Sequence, residues 1–185
     1  MNNFYHVYNR GINRQQVFYS DQEYHEFIEL MREYLPDSRV DLHAFTLMPN
    51  HFQMILRQLE YLAMCKFMKH VCERYACGFN KRHGRTGHVF QGRYKRVFID
   101  RDEYLQHLSR YIHLNPVHAK LVKSASEWEH SSFPTYVNGG NADFLTTDII
   151  LSMSGGKEAY LHYIHEPRPA YGEELERYLI DRNIL

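Results

Sequence analysis

The sequence predicts an α+β domain in which one mostly antiparallel sheet carries helices packed on it. The predicted elements follow the order strand, helix, strand, strand, helix, strand, helix. Two of the strands are separated by a short turn, Met48-Pro49-Asn50, as expected of a hairpin. Each helical segment has one apolar stripe, which suits packing against a sheet. These observations favour a ferredoxin-like sandwich, and because that fold hosts many activities, function must be inferred from a site.

The first half of the chain contains three predicted strands and one helix. Residues 3–9 are aromatic and β-branched enough for a strand that ends at Arg10-Gly11. A helix is predicted over residues 22–35, between the capping pair Ser20-Asp21 and Pro36. Residues 40–48 and 51–57 form the hairpin. The alternation in its first strand predicts one face with Val40, Leu42, Ala44 and Thr46, and the other with Asp41, His43, Phe45 and Leu47.

The second half begins with the clearest helix, predicted over residues 61–80, followed by a basic, glycine-containing turn over 80–87. A strand is predicted over 88–99, with Gly92 at a bulge or a close approach of the backbone. The next helix covers about 101–115 and should end, or continue through a kink, at Pro116.

Residues 138–143 (NGGNAD) are the clearest linker, after a loop with short turns over 125–138. We therefore divide the chain into a main domain, residues 1–138, and a C-terminal extension, residues 139–185. Short helices are predicted in the extension near 157–165 and 171–182.

Composition indicates an ordinary globular protein. The chain has 185 residues, of which 44% are hydrophobic and 24% charged, so disorder of the whole chain is not expected. It has neither an apolar run long enough for a membrane span nor a signal-peptide pattern at its start, so we expect a cytoplasmic protein. The three cysteines have spacings that match no usual zinc pattern.

Charge is unevenly placed although the formal net charge is zero. Residues 66–101 hold 10 basic and 2 acidic side chains, a net charge of +8, and several aromatic residues. Residues 1–65 have a net charge of −3 and residues 102–185 of −5. The basic segment is either a surface for a nucleic-acid backbone or a solvated basic face.

Two pairs of residues have the spacing expected of a chemical site. His51 and Gln53 are two apart on a predicted strand, so they leave the same face, and together they are acceptable ligands for Mg²⁺ or Mn²⁺. Tyr111 and Asn115 are four apart on one helical stripe, and a tyrosine hydroxyl near an activated phosphate can act as a nucleophile. Each pair has a structural alternative. A single histidine on a strand is usually hydrogen-bonded or exposed without a further role, tyrosines on helices mostly pack, and asparagine before Pro116 can end a helix.

Four stretches of sequence resemble a known family. They are YHVYNRG (5–11), AFTLMPNHFQMIL (44–56), FNKRHGRTGHVFQGRYK (79–95) and RYIHLNPVHAKLV (110–122), and SSFPTYV (131–137) adds a fifth. In this order they resemble the IS200-type transposases and, more closely, the REP-associated tyrosine transposases, a branch of the HUH single-strand nucleases.

The resemblance implies a metal-dependent, site-specific endonuclease and strand transferase that acts on single strands carrying REP-like hairpins. Tyr111 would attack the scissile phosphate to give a 5′-phosphotyrosine, and His51, Gln53 and Asn115 would hold Mg²⁺ or Mn²⁺. The enzyme would be nucleoid-associated and work as a monomer or a homodimer. We assign DNA binding to basic residues in and near the motifs: Arg10, Lys81, Arg82, Arg85, Arg93, Lys95 and Arg96.

One residue departs from the family pattern, in which a second histidine stands where this chain has Gln53. An amide oxygen is a poorer ligand for transition-metal ions, so metal preference should shift toward Mg²⁺ or Mn²⁺. The departure leaves an alternative open: a non-catalytic protein that binds hairpin DNA. An RNA-binding module is a third reading, which competition with matched RNA would test.

Because residues 139–185 have a net charge of −4, the extension could also lie over the DNA groove and restrain access.

Overall fold

The computed structural model describes residues 3–139 and 143–166, and it confirms the predicted α+β architecture. Four antiparallel strands form one sheet in the order β2-β3-β1-β4. The strands are β1 (Asn3–Arg10), β2 (Val40–Met48), β3 (His51–Gln58) and β4 (Lys95–Ile99). The helices are α1 (Asp21–Tyr34), α2 (Ala63–Arg82), α3 (Asp102–His118), α4 (Phe133–Asn138), α5 (Asp148–Met153) and α6 (Lys157–His165), with single 3-10 turns at Ile12–Arg14 and Ala125–Glu127.

The two faces of the sheet carry separate hydrophobic clusters. α1 and α2 cover one face, where Phe27, Met54 and Tyr75 are fully buried together. α3 and the C-terminal helices cover the other, where Ile55, Leu108 and Ile112 are buried. A sheet covered on both sides explains why almost every side chain of β2 and β3 is buried. None of the helices in the described ranges is both long and apolar enough to cross a membrane.

The strict alternation predicted for residues 40–47 is wrong, because β2 contains a bulge at His43. Leu42 lies opposite Leu56, whereas Ala44 lies opposite Ile55, so one extra residue separates them. A bulge exchanges the faces that follow it, which is why Leu42 belongs to the first cluster and Ala44 to the second. The bulged residue is held by its ring, whose Nδ1 donates to the carbonyl of Thr146 at 2.7 Å.

The strand predicted over residues 88–99 is shorter than expected, since β4 begins only at Lys95. The preceding residues form a loop that docks on β1: Phe90 makes an isolated bridge with Gly11, and the amide of Gln91 donates to the carbonyl of Arg10 at 2.8 Å. Gly92 turns the chain in the left-handed region, at a φ of 77°. Burial of the loop's apolar side chains against the first cluster replaces strand pairing.

Two helices run further than predicted. α2 extends to Arg82, through the start of the expected turn, because the Arg82 guanidinium pairs with Glu23 and Glu26 of α1. α3 does not end at Pro116 but continues through it to His118. The helix ends where the amide of Ala119 donates to the carbonyl of Asn115 at 2.9 Å.

The described part of the C-terminal extension belongs to the second hydrophobic cluster. Ile150 of α5 and Tyr160 and Ile164 of α6 are buried among the residues of α3 and α4. The predicted helix near 157–165 is confirmed, α5 was not predicted, and the predicted helix near 171–182 lies outside the described residues. Residues 143–166 are therefore packed on the main domain.

Candidate active site

The first two candidate ligands lie on the face of the sheet that α3 covers. The register places Thr46, Gln53, Tyr8 and Lys95 in one row across the four strands. His51 lies one pair further along, opposite Arg10. Because directly paired residues of a sheet share a face, His51 and Gln53 leave the same face as Lys95 and Arg10, as their spacing predicted.

Hydrogen bonds connect these side chains into a buried chain. Gln53 Nε2 lies 3.3 Å from His51 Nε2, and Gln53 Oε1 lies 3.1 Å from Nε2 of His6, on β1. His51 Nδ1 lies 2.7 Å from the side-chain oxygen of Asn50. An amide oxygen only accepts, so His51 Nδ1 carries the proton and its Nε2 has the lone pair.

Burial keeps the His51 imidazole neutral. Desolvation lowers its pKa to about 3, and electrostatic interactions with Arg10 and then His6 act in the same direction. A neutral imidazole is the form that binds a metal ion. His51 is therefore in the protonation state that a metal ligand needs at neutral pH.

The third candidate ligand, Asn115, has a buried amide group without a hydrogen-bond partner. The residue is 1% exposed, and among the described residues neither its oxygen nor its nitrogen meets a partner. Nearly all buried polar groups in proteins are hydrogen-bonded. An orphaned amide on a helix that covers the candidate ligands is a feature expected of a binding site.

A buried bridge sets the position of α3 along the sheet. Nε2 of His113 lies 2.7 Å from Oγ of Ser132, which accepts from the amide of Phe45 at 2.9 Å. Phe45 precedes Thr46, the residue of β2 that pairs with Gln53. The bridge therefore ties α3 to β2 one residue before Thr46, the strand partner of Gln53.

Tyr111 lies on the same stripe of α3 as Asn115, one turn earlier. Tyr104 and Leu108, further back on that stripe, are buried against the sheet, which agrees with the predicted face. Tyr111 itself is half-buried, and its ring centroid lies 6.5 Å from that of His118. The structure thus brings His51 and Gln53 into direct contact. It places Tyr111 and Asn115 on the helix that packs on the same face of the sheet, without a side-chain contact from either to His51 or Gln53 among the described hydrogen bonds and ring contacts.

The donor set fits a divalent ion that accepts oxygen ligands. His51 offers one neutral ring nitrogen, and Gln53 and Asn115 each offer an amide oxygen. Mg²⁺ and Mn²⁺ suit such a set better than Zn²⁺, which prefers nitrogen and sulfur. Within the described ranges no group of three or more histidine, cysteine or acidic side chains could hold a metal ion.

Two of the predicted DNA-binding cations lie beside these residues. Arg10 is paired with His51 across the strands, and Lys95 is in the row of Gln53, with its ammonium 6.0 Å from the centre of the Tyr8 ring. Arg96 follows Lys95 on β4 and therefore leaves the opposite face, where it lies 5.5 Å from the centre of the Tyr5 ring.

The other four predicted cations lie around α2 and the loop that follows it. Lys81 and Arg93 are exposed. Arg85 contacts the side chain of Gln15 at 3.2 Å. Arg82 differs, because two carboxylates of α1 bind its guanidinium and one of them, Glu23, is almost fully buried. Its charge is compensated inside the fold, so we place it outside the surface that we propose for DNA.

Arg93 lines a groove of about 630 Å³ between α2 and the loop 87–94. Its lining is mainly apolar, with Lys66 and Lys69 of α2 among the lining residues. Most of its lining residues belong to the segment of net charge +8, and Asn9, Leu62 and Cys65 complete it.

His6 is the residue of this group that sequence reasoning missed. The alternation in residues 3–9 places it on the same face of β1 as Tyr8. No sequence pattern gives the register between β1 and β3, however, and only the register shows that His6 lies beside Gln53.

Residues 1–115 of the chain match the family model described as "Transposase IS200 like". The chain belongs to the IS200-like transposase family. In this transposase the matched region contains all four strands, α1, α2 and α3 as far as Asn115. It therefore includes His51, Gln53 and Tyr111.

Solved structures are similar to this one, and a match at a TM-score of 0.60 shows the same fold. One is a REP-associated tyrosine transposase bound to a REP hairpin, with a TM-score of 0.60 and 19% identity, over 80% of this chain and 87% of that chain. Another is a protein from Deinococcus radiodurans R1 described as a transposase, with a TM-score of 0.45 and 16% identity, over 58% of this chain and 86% of that chain. No curated protein matches the chain.

Proposed function

We propose that this IS200-like transposase is a metal-dependent, site-specific endonuclease and strand transferase that acts on single-stranded DNA carrying REP-like hairpins. The observation that carries the proposal is the unpartnered, buried amide of Asn115 on the helix that covers His51 and Gln53. The hairpin DNA bound by the structural relative supports this class of substrate. We also propose nucleoid association, because the expected substrate is DNA, and a monomer or homodimer, the two states that the family resemblance implies.

In the proposed reaction the hydroxyl oxygen of Tyr111 attacks the scissile phosphorus. A bond forms between that oxygen and phosphorus, the bond to the 3′ oxygen breaks, the tyrosine proton is lost and the 3′ oxygen takes one up. The products are a 5′-phosphotyrosine and a free 3′-hydroxyl. Attack on the phosphotyrosine by another 3′-hydroxyl reverses these steps and transfers the strand.

The residues around Tyr111 would hold the phosphate and the ion that activates it. His51, Gln53 and Asn115 would bind Mg²⁺ or Mn²⁺, which when bound polarises the phosphate and stabilises the charge that develops on it. Arg10 and Lys95 add positive charge on the same face. The three ligands are neutral, so a phosphate of the DNA is the group that balances the charge of the ion.

The proposal is tested with a labelled single strand of DNA that carries a hairpin and its 5′ flank from the host genome. The protein is mixed with this DNA and Mg²⁺ or Mn²⁺, and the products are separated on a denaturing gel. We expect a covalent protein–DNA band that disappears in Tyr111→Phe and when the metal is chelated. Tyr104→Phe, on the same stripe of α3, is the matched control and should keep the band. A band that persists in Tyr111→Phe would refute the assigned nucleophile.

A second candidate function is hairpin binding without cleavage. It is favoured by one observation: the amide nitrogen of Gln53 donates to the lone pair of His51 Nε2, the atom that a metal ion would need. If this arrangement persists in the DNA complex, the protein binds hairpins tightly and cuts none with either metal. In that case Gln53→His should restore the covalent band.

A further inference from the structure

The contact between His6 and Gln53 points to a role for a histidine outside the proposed ligand set. His6 is fully buried, and its Nε2 meets Gln53 Oε1 at 3.1 Å. The two residues lie on adjacent strands, where Tyr8 pairs with Gln53 and His6 with the next-but-one residue, Ile55. His6 and Gln53 are thus diagonal neighbours on one face of the sheet.

In the present hydrogen bonds the nitrogen of the Gln53 amide faces His51, whereas a metal ion would need the oxygen there. The proton on His51 Nδ1 leaves Nε2 as an acceptor, and Gln53 donates to it through its nitrogen. The Gln53 oxygen faces His6 instead, so His6 Nε2 carries a proton and donates. In this arrangement a cation cannot bind His51 Nε2 and the Gln53 oxygen together, because the first accepts from the Gln53 nitrogen and the second faces His6.

Binding a cation between His51 Nε2 and Gln53 requires the amide to turn over. The oxygen then faces the cation, and the amide nitrogen faces His6. His6 can accept that bond only when its proton has moved to Nδ1. A neutral imidazole provides both arrangements, since either ring nitrogen can carry the proton.

We propose that His6 is a positioning residue that sets which end of the Gln53 amide faces the cation. The inference rests on the metal site of the proposed function. It explains how a glutamine serves at a position where the family pattern has histidine, because an imidazole on the neighbouring strand determines the orientation of its amide.

The first test measures Mn²⁺ affinity by electron paramagnetic resonance in a double-mutant cycle. His6→Met keeps an unbranched side chain of similar length but removes the ring, and it should weaken Mn²⁺ binding by about ten-fold. Gln53→Glu presents oxygen at both ends, so orientation no longer matters and the same His6→Met change should have little effect. Equal losses in both backgrounds would overturn the proposal, because His6 would then act independently of residue 53.

His6→Gln is the matched conservative variant, because its terminal amide can donate or accept near the place of Nε2. It should keep most of the Mn²⁺ affinity that His6→Met loses, and a thermal unfolding curve confirms that each variant is folded. Equal loss in His6→Gln and His6→Met would contradict a role in hydrogen bonding.

The second test uses the wild-type protein and therefore does not depend on a variant that folds. Ring ¹⁵N chemical shifts report which nitrogen of His6 carries the proton. We expect the proton on Nε2 without metal and on Nδ1 with saturating Mg²⁺; a proton that stays on Nε2 would overturn the proposal. His51→Ala separates the two levels of inference. If it leaves Mn²⁺ affinity unchanged, the metal site itself is refuted, whereas weaker binding combined with an unmoved proton refutes only the role of His6.

Discussion

Asn115 is a polar residue in a position that is costly for the folded state. Its amide is buried without a partner among the described residues, which costs about 1–3 kcal/mol of stability. His113, two residues earlier on α3, is equally buried, but both of its ring nitrogens have partners, Tyr160 and Ser132. The contrast agrees with the binding role that we propose for Asn115, whereas the two hydrogen bonds of His113 hold the fold together.

Asn115→Leu is expected to raise the free energy of unfolding by about 1 kcal/mol, because it replaces an unsatisfied amide with an apolar group of similar shape. The same variant should lose metal-dependent formation of the covalent DNA adduct. Urea unfolding and the adduct gel measure the two effects. His113→Leu is the control and should lower stability, since the buried hydroxyl groups of Tyr160 and Ser132 each lose one hydrogen bond. A destabilised Asn115→Leu would show that the amide supports the fold.

At the scale of elements, the sequence predicts most of the fold, and the errors have local physical causes. Strand and helix positions follow from apolar spacing. The bulge at His43 is invisible in the sequence because it depends on a carbonyl more than 100 residues away, that of Thr146. The spacing of His51 and Gln53 correctly predicts their shared face. The involvement of His6 could not be predicted, because it depends on the register of β1 against β3.

The edge strand β4 offers a matched pair of variants, because Lys95 and Arg96 leave opposite faces. Lys95→Gln is expected to lower the cleavage rate at saturating hairpin DNA by about ten-fold, since it removes a positive charge from the row that contains Gln53. Arg96→Gln should leave this rate unchanged, even where it weakens binding at low salt. Single-turnover cleavage measures the rate, and filter binding measures the affinity. Equal rates in the two variants would place the reacting phosphate elsewhere.

Deletions at two positions test the role of the C-terminal extension. Ending the chain after Asn138 removes Ile150, Tyr160 and Ile164 from the second cluster. Loss of one large buried side chain costs about 2–5 kcal/mol, so loss of three should unfold the protein, as circular dichroism would show. Ending the chain after Glu166 keeps these three residues. This shorter deletion therefore tests whether the rest of the extension restrains access of DNA to the protein. Faster cleavage or tighter binding supports restraint; unchanged values at low salt refute it.

At the scale of the whole molecule, histidines link stability to pH. The chain has 13 histidines, and burial lowers the pKa of His43, His51 and His113. The proposed ligand His51 and the structural residue His113 both reach a pKa of about 3. Both depend on a neutral imidazole, so acid should weaken the fold and the proposed metal site together.

Stability should therefore fall as pH decreases below about 6.5, the ordinary pKa of histidine. Between this value and the folded pKa of about 3 for His113, the unfolded chain binds a proton that the folded chain excludes. Each such histidine lowers the free energy of unfolding by about 1.4 kcal/mol per pH unit, and the stability is complete above pH 6.5. Urea unfolding at several pH values from 7.5 to 4.5 measures the slope. His113→Gln, neutral at every pH, should reduce the slope by one proton, and an unchanged slope would show that His113 is already protonated in the folded protein.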